Sequence, residues 1–212
     1  MNSHQDTDVR KRRTQAPGLE LRLVVRPNLL PSFYGILQQG VGVISRMGLS
    51  VKAFLCDELG LSPEFLDTRV QTVFLDGKAV DDLESAFIHD GAVLALSAAM
   101  PGLLGATLRR GSYYAAMRGE ISYRGENEGI SGRHGVISLK LFNLLVGEIG
   151  PVLLSRGVRI AGTVLTDFLK RQSARFWADC MEAAVNGHVT DPKALPTREW
   201  PPEPLMLKVN RA

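Results

Sequence analysis

This chain has few of the residues that catalysis, metal binding or covalent cross-linking use. Only two cysteines occur in 212 residues, Cys56 and Cys180, and neither belongs to a CxxC pair. That argues against a disulfide-stapled fold and a cysteine-ligated zinc site. Each lies in an apolar run, AFLCDEL and FWADCMEA, so both read as core thiols of a reducing compartment. The four histidines, His4, His89, His134 and His188, are scattered without metal-ligand spacing. No GxSxG, P-loop or GxGxxG is present. The expectation is therefore a non-enzymatic protein with no catalytic, metal or cofactor site. No run of about 18 apolar residues occurs, so no transmembrane helix is expected. The N-terminus is polar, then basic, with no apolar stretch before Leu19, which predicts a cytoplasmic protein without a secretory leader.

What is present is ordinary for a soluble globular protein: 45% apolar and 22% charged residues, long enough for one large domain or two small ones. The net charge is only +3, and much of the excess sits in Arg10-Lys11-Arg12-Arg13. That cluster lies in a polar segment, 1–18, read as a flexible basic tail. It is a weak electrostatic signal for nucleic acid or an acidic partner.

From Leu19 the pattern becomes structured. LELRLVV (19–25) alternates as a half-buried strand does. LLPSFYGILQQ (29–39) reads as a short helix with Pro31 in its first turn and Gly40 as its stop, followed by a short strand at Val41–Ile44. Ser50 is positioned to cap a helix ending at Gly60, and Ser62-Pro63 to open another. Between 72 and 97 the pattern is strand, Asp76-Gly77 turn, strand, polar link, Asp90-Gly91 turn, strand. The stretch 100–122 has no clean period and reads as a linker or surface segment packed through Tyr113 and Tyr114. The Gly-rich run YRGENEGISGRHG (123–135) is flanked by EISY and VISLKLF, which predicts a long hairpin. Leu144–Ser155 is helical, interrupted at Gly150-Pro151. Thr163 is placed to cap a long helix reaching Val185, closed by Asn186-Gly187. The Pro-rich stretch 190–204 is expected to be extended, and LMLKV (205–209) to form a terminal strand.

Two stretches echo each other. LRLVV, ILQQGVGVI and SVKAFL are matched in order by LKLFN, LLSRGVRIA and VLTDFL, aligning Gly40-Val41 with Gly157-Val158 and Phe54-Leu55 with Phe168-Leu169. The order suggests a divergent internal repeat. The resulting layout is a basic tail (1–18), a folded unit (19–105), a linker with the Gly-rich loop (106–135) and a C-terminal αβ unit (136–212). Whether the two units form one domain or two stays open at this level.

The run LDGKAVDDLESAFIHDGAVLALSAAMPG resembles the C-terminal half of the small sulfur-carrier proteins, the molybdopterin synthase small subunit and the thiamine-pathway carrier. These belong to the ubiquitin-like β-grasp family. Asp76-Gly77 matches the first turn, Asp90-Gly91 the second, Val93–Leu96 the closing strand, and Met100–Gly105 takes the place of the tail. The resemblance spans 19–105 and implies an α+β fold with an N-terminal ubiquitin-like β-grasp domain, followed by the αβ unit. The family's tail ends the chain in Gly-Gly. Here Leu103-Leu104 separates Gly102 from Gly105, and 107 residues follow Gly105. Carrier chemistry would therefore require proteolytic release near Gly105. A second relative by pattern is the TGS-type β-grasp module of RNA-handling proteins, which implies nucleic-acid binding through Arg109-Arg110 and the basic tail.

The leading expectation is a β-grasp module that binds a protein partner. Its candidate interaction residues are Met100, Pro101, Gly102, Leu103, Leu104, Gly105, Arg109 and Arg110. The alternatives are a sulfur-carrier-like protein and a nucleic-acid-binding β-grasp protein. Arg124, Arg133 and His134, in the Gly-rich loop, form a weak candidate anion site. The acidic run Asp81-Asp82 with Glu84 reads as turn chemistry and solvation.

Overall fold

The computed structural model describes residues 18–123 and 132–212. Its centre is one ten-stranded mixed sheet. The strands are β1 (Glu20–Val25), β2 (Val41–Arg46), β3 (Thr72–Leu75), β4 (Lys78–Ala79), β5 (Val93–Ser97), β6 (His134–Phe142), β7 (Val158–Ala161), β8 (Cys180–Val185), β9 (His188–Thr190) and β10 (Pro204–Arg211). Across the sheet they run β4-β3-β5-β6-β2-β7-β10-β1-β8-β9. The parallel pairs are β5 with β6 and β1 with β10; the other neighbours are antiparallel.

Alternation explains how the sheet is buried. Leu21, Leu23 and Val25 of β1, Ile137, Leu139 and Leu141 of β6, and Leu205, Leu207 and Val209 of β10 all lie at or near zero exposure. These residues belong to one core cluster. Residues at the intervening positions, such as Arg22, Lys140 and Lys208, stay partly or fully exposed. A strand with period two buries one face only.

The core face is covered by helices: α1 (Tyr34–Gln39), α2 (Val51–Ala53, running on as a π-helical turn over Phe54–Glu58), α3 (Pro63–Arg69), α5 (Leu144–Arg156), α6 (Gly162–Lys170) and α7 (Ala174–Asp179), with α4 (Gly102–Leu108) standing apart beside a 3-10 turn. Ser50 and Ser62 cap α2 and α3 as their positions predict, accepting from the N–H of Ala53 and Phe65 at 3.1 Å each. Gly150 lets α1 and α5 approach closely: a Cβ there would stand 2.7 Å from Leu37 Cδ1. Phe33 stacks on Phe168 at 4.8 Å, tying the first helical stretch to α6.

Several local expectations are corrected. The long helix from Thr163 to Val185 is three elements. α6 begins at Gly162 and closes at Lys170; Ser173 Oγ then caps α7, accepting from Phe176 N–H at 3.3 Å. The last six residues are strand β8, paired with β1 and β9. Cys180-Met-Glu-Ala-Ala has good helix propensity, but an exposed edge of β1 offers a full ladder of hydrogen bonds, and tertiary pairing outweighs propensity. Asn186-Gly187 (φ 49° and 80°) is the hairpin turn between β8 and β9, not a helix stop. α5 runs unbroken through Pro151. Its buried Leu145, Ile149, Leu153 and Leu154 offset the roughly 3 kcal/mol a helical proline costs.

Among the described residues, the two flanks of the Gly-rich run do not pair with each other as a long hairpin. Ser122 bridges Ala79 on the outer edge of β4, and Tyr123 N–H donates to Ala79 O at 2.8 Å. That pairing shields an open edge. β6 instead inserts between β5 and β2. The segments 19–105 and 136–212 thus share one sheet: β1 leaves the first and sits beside β10 and β8 of the second. No helix among the described residues is long and apolar enough to cross a membrane.

Candidate interaction surface

The stretch 100–123 is an ordered appendage on the β3–β4 side of the sheet. α4 and a 3-10 turn over Tyr113–Ile121 pack on each other. Two arginines fasten them. Arg118 has a fully buried side chain. Its Nη1 and Nη2 donate to both carboxylate oxygens of Asp81, at 3.0 and 2.7 Å. Its Nε donates to Thr107 O at 2.7 Å and Nη2 also to Arg109 O at 3.0 Å. Asp81 Oδ1 additionally accepts from Gly111 N–H at 3.0 Å. A bidentate arginine–carboxylate pair in which all three guanidinium nitrogens donate to acceptors is the strong form of this contact. Arg110 reaches the other way, donating to Val70 O and Leu66 O at 3.1 and 2.9 Å, with Asp67 at 3.8 Å. Burial holds its pKa below the usual guanidinium value, while Asp67 and Asp81 oppose that shift.

This anchoring leaves large apolar side chains in solvent. Leu103 is 64% exposed, Leu104 71%, Tyr113 93% and Met117 68%. Tyr114 stands edge-on to Tyr113 at 5.5 Å, and Ile121 is half exposed. Tyr113 therefore does not pack inward as the sequence reading has it.

The predicted interaction residues divide. Pro101 N-caps α4 and Gly102 opens it with φ 81°. Both are exposed, and Met100 is half-buried. Leu103 and Leu104 project outward. Gly105 is buried, and a Cβ there would fall 2.0 Å from Met100 O, so this point is a close backbone approach, not a free tail. Arg109 is exposed, whereas Arg110 is spent on internal contacts.

The weak anion candidates lie elsewhere. Arg124 falls outside the described residues. Arg133 and His134 meet Met47, His89 and Asp90 in an open cleft of about 250 Å³. His89 is engaged by Asp76 Oδ2 at 2.8 Å and by the Asp90 carbonyl at 3.1 Å. Asp90 accepts from Val136 N–H at 2.8 Å, so the cleft mixes charges and offers no concentrated cation. Among the described residues, no group of three or more His, Cys, Asp or Glu side chains is placed to hold a metal.

Sequence reasoning missed Arg118 altogether and took Asp81 for solvated turn chemistry. Their partnership spans 37 residues, and no local pattern announces it. The exposed Met117 carried no signal either.

Known proteins offer no guide. The chain matches no family model, no curated protein and no solved structure. Its geometry alone bears on function.

Proposed function

We propose that this protein is a non-enzymatic, β-grasp-type interaction module that binds a protein partner through the apolar surface of α4 and the turn 113–121. The observation that carries the reading is the combination of rigid anchoring and exposure. A fully buried Arg118 holds the segment, yet Leu103, Leu104, Tyr113 and Met117 face solvent. Contiguous exposed apolar side chains mark contact surfaces, and an ordered surface binds with less entropy loss.

The β-grasp and internal-repeat readings draw support from topology. β2-β6-β5-β3-β4 and β7-β10-β1-β8-β9 have the same sequence of antiparallel, parallel, antiparallel and antiparallel pairs. The two groups meet where Gly42 pairs with Arg159. These two residues are equivalent in the sequence echo, so a two-fold relation passes between them. Gly40 and Gly157 share a backbone conformation, φ 115°, ψ 134° and φ 103°, ψ 137°. The strand exchange departs from a simple tandem: the slot beside β3 holds β5, whereas the slot beside β8 holds β1.

The test is cross-linking and affinity capture from native extract with the wild-type chain and with Leu104→Asp/Met117→Asp. Both side chains are exposed, so the variant is expected to keep its melting temperature. A defined protein captured by the wild type and lost with the variant supports the reading. Identical capture by both, or none by either, removes it.

A further inference from the structure

The face of the sheet turned away from the helices carries a second feature, independent of the α4 surface. Arg22, Arg159, Lys140 and Lys208 occupy its alternating positions on β1, β7, β6 and β10. The register fixes their arrangement. Arg22 lies beside Lys208, Met206 beside Arg159, and Arg159 beside Gly42. Leu139 pairs with Val41, which sets Lys140 across from Gly40; Leu207 pairs with Val158, which sets Lys208 across from Gly157. With neighbouring strands about 4.8 Å apart, the four cations form a diagonal band roughly 23 Å long across the middle of the sheet.

The band is built, not incidental. A Cβ on Gly40 would stand 3.2 Å from both Cγ and Cε of Lys140, and one on Gly157 would stand 3.0 Å from the same atoms of Lys208. Each lysine stem thus lies flat over a glycine, and the two are related by the two-fold that passes between Gly42 and Arg159. Lys208 pairs with Glu20 at 3.0 Å. Arg22, Lys140 and Arg159 have no ion-pair partner among the described residues. Apolar side chains flank the band: Ile44 is 49% exposed and Phe142 37%.

We infer that this face binds single-stranded nucleic acid. Charge chooses the occupant. A second copy docked face to face about a two-fold would set the basic band against itself. A linear polyanion follows a diagonal line of cations, and its unstacked bases can lie on Ile44, Met206 and Phe142. The exposed ring of Phe142 takes an unstacked base, which a duplex does not present, so the strand is single.

The experiment is fluorescence anisotropy of the full-length chain with a labelled mixed-sequence single-stranded oligonucleotide across a salt series. The three unpaired cations, Arg22, Lys140 and Arg159, give a slope of log K against log salt near −2, or about twenty-fold weaker binding from 50 to 200 mM salt. Lys140→Gln/Arg159→Gln leaves one of them and is expected to cut the slope to about −0.7. Leu104→Asp/Met117→Asp is expected to leave it unchanged, which separates this inference from the protein-partner reading. No binding at 50 mM salt overturns it. So does a slope untouched by the double variant, which would move binding to the basic run Arg10–Arg13. Binding to phosphatidylserine vesicles but not to the oligonucleotide would overturn it in favour of a membrane surface.

Discussion

Removing the carboxylate of Asp81 tests whether the appendage is held by one buried charge pair. In Asp81→Ala the Arg118 guanidinium stays fully buried and loses both carboxylate bonds, while Gly111 N–H loses its acceptor. Stranding a buried charge costs about 3–5 kcal/mol. Arg118 retains the carbonyls of Thr107 and Arg109, so the low end applies, about 3 kcal/mol. The reverse variant, Arg118→Met, leaves a carboxylate that is 41% exposed and rehydrates. Its cost is then the lost carbonyl contacts, about 1–2 kcal/mol. The assay is amide hydrogen exchange by mass spectrometry beside urea denaturation. The appendage sits at one side of the sheet, so residues 102–121 are expected to lose protection in Asp81→Ala while β1 and β10 keep theirs. Equal costs for the two variants, or unchanged exchange over 102–121, would refute the argument from burial.

Three further outcomes are expected. Thr72 Oγ1 is buried with no hydrogen-bond partner. Thr72→Val removes that unpaired hydroxyl and should raise stability by about 1 kcal/mol, read as a higher urea midpoint. Gly40→Ala and Gly157→Ala each place a Cβ at positive φ against a lysine stem, and thermal melts should show similar losses, about 1–3 kcal/mol each. Cys180 is 5% exposed, and burial pushes its thiol up to about 11. The unfolded thiol ionises nearer 9, so the raised folded value contributes stability fully present below pH 9 and lost as pH rises towards 11. Denaturation midpoints should fall across that window in the wild type and fall less in Cys180→Ala.

Much of the local structure was legible in the residues. Ser50 and Ser62 are caps, Asp76-Gly77 is a tight turn, and the alternation of 19–25 and 205–209 marks strands, because these signals act within a few residues. β8 was not legible. Cys180 and Ala184 continue the helical face of Phe176 and Trp177 as readily as they fit a strand, and only the open edge of β1, 155 or more residues away in sequence, decides for the strand. Leu103 and Leu104 follow the last strand of the motif, and the exposure of both is a fact of the tertiary structure. Arg110 was misplaced, because its contacts with Leu66 and Val70 depend on how α3 meets the appendage.

The sequence by itself determined the strands at 19–25 and 205–209, the serine caps at Ser50 and Ser62 and the tight turn at Asp76-Gly77. Those signals are local, carried by side-chain period and by hydrogen bonds within a few residues. Only the tertiary structure decided that β1 joins the second half of the sheet, that Asp81 and Arg118 meet, and that four scattered cations align on one face. Each of those depends on strand register between distant segments, and register is set when every buried residue finds its partner at once.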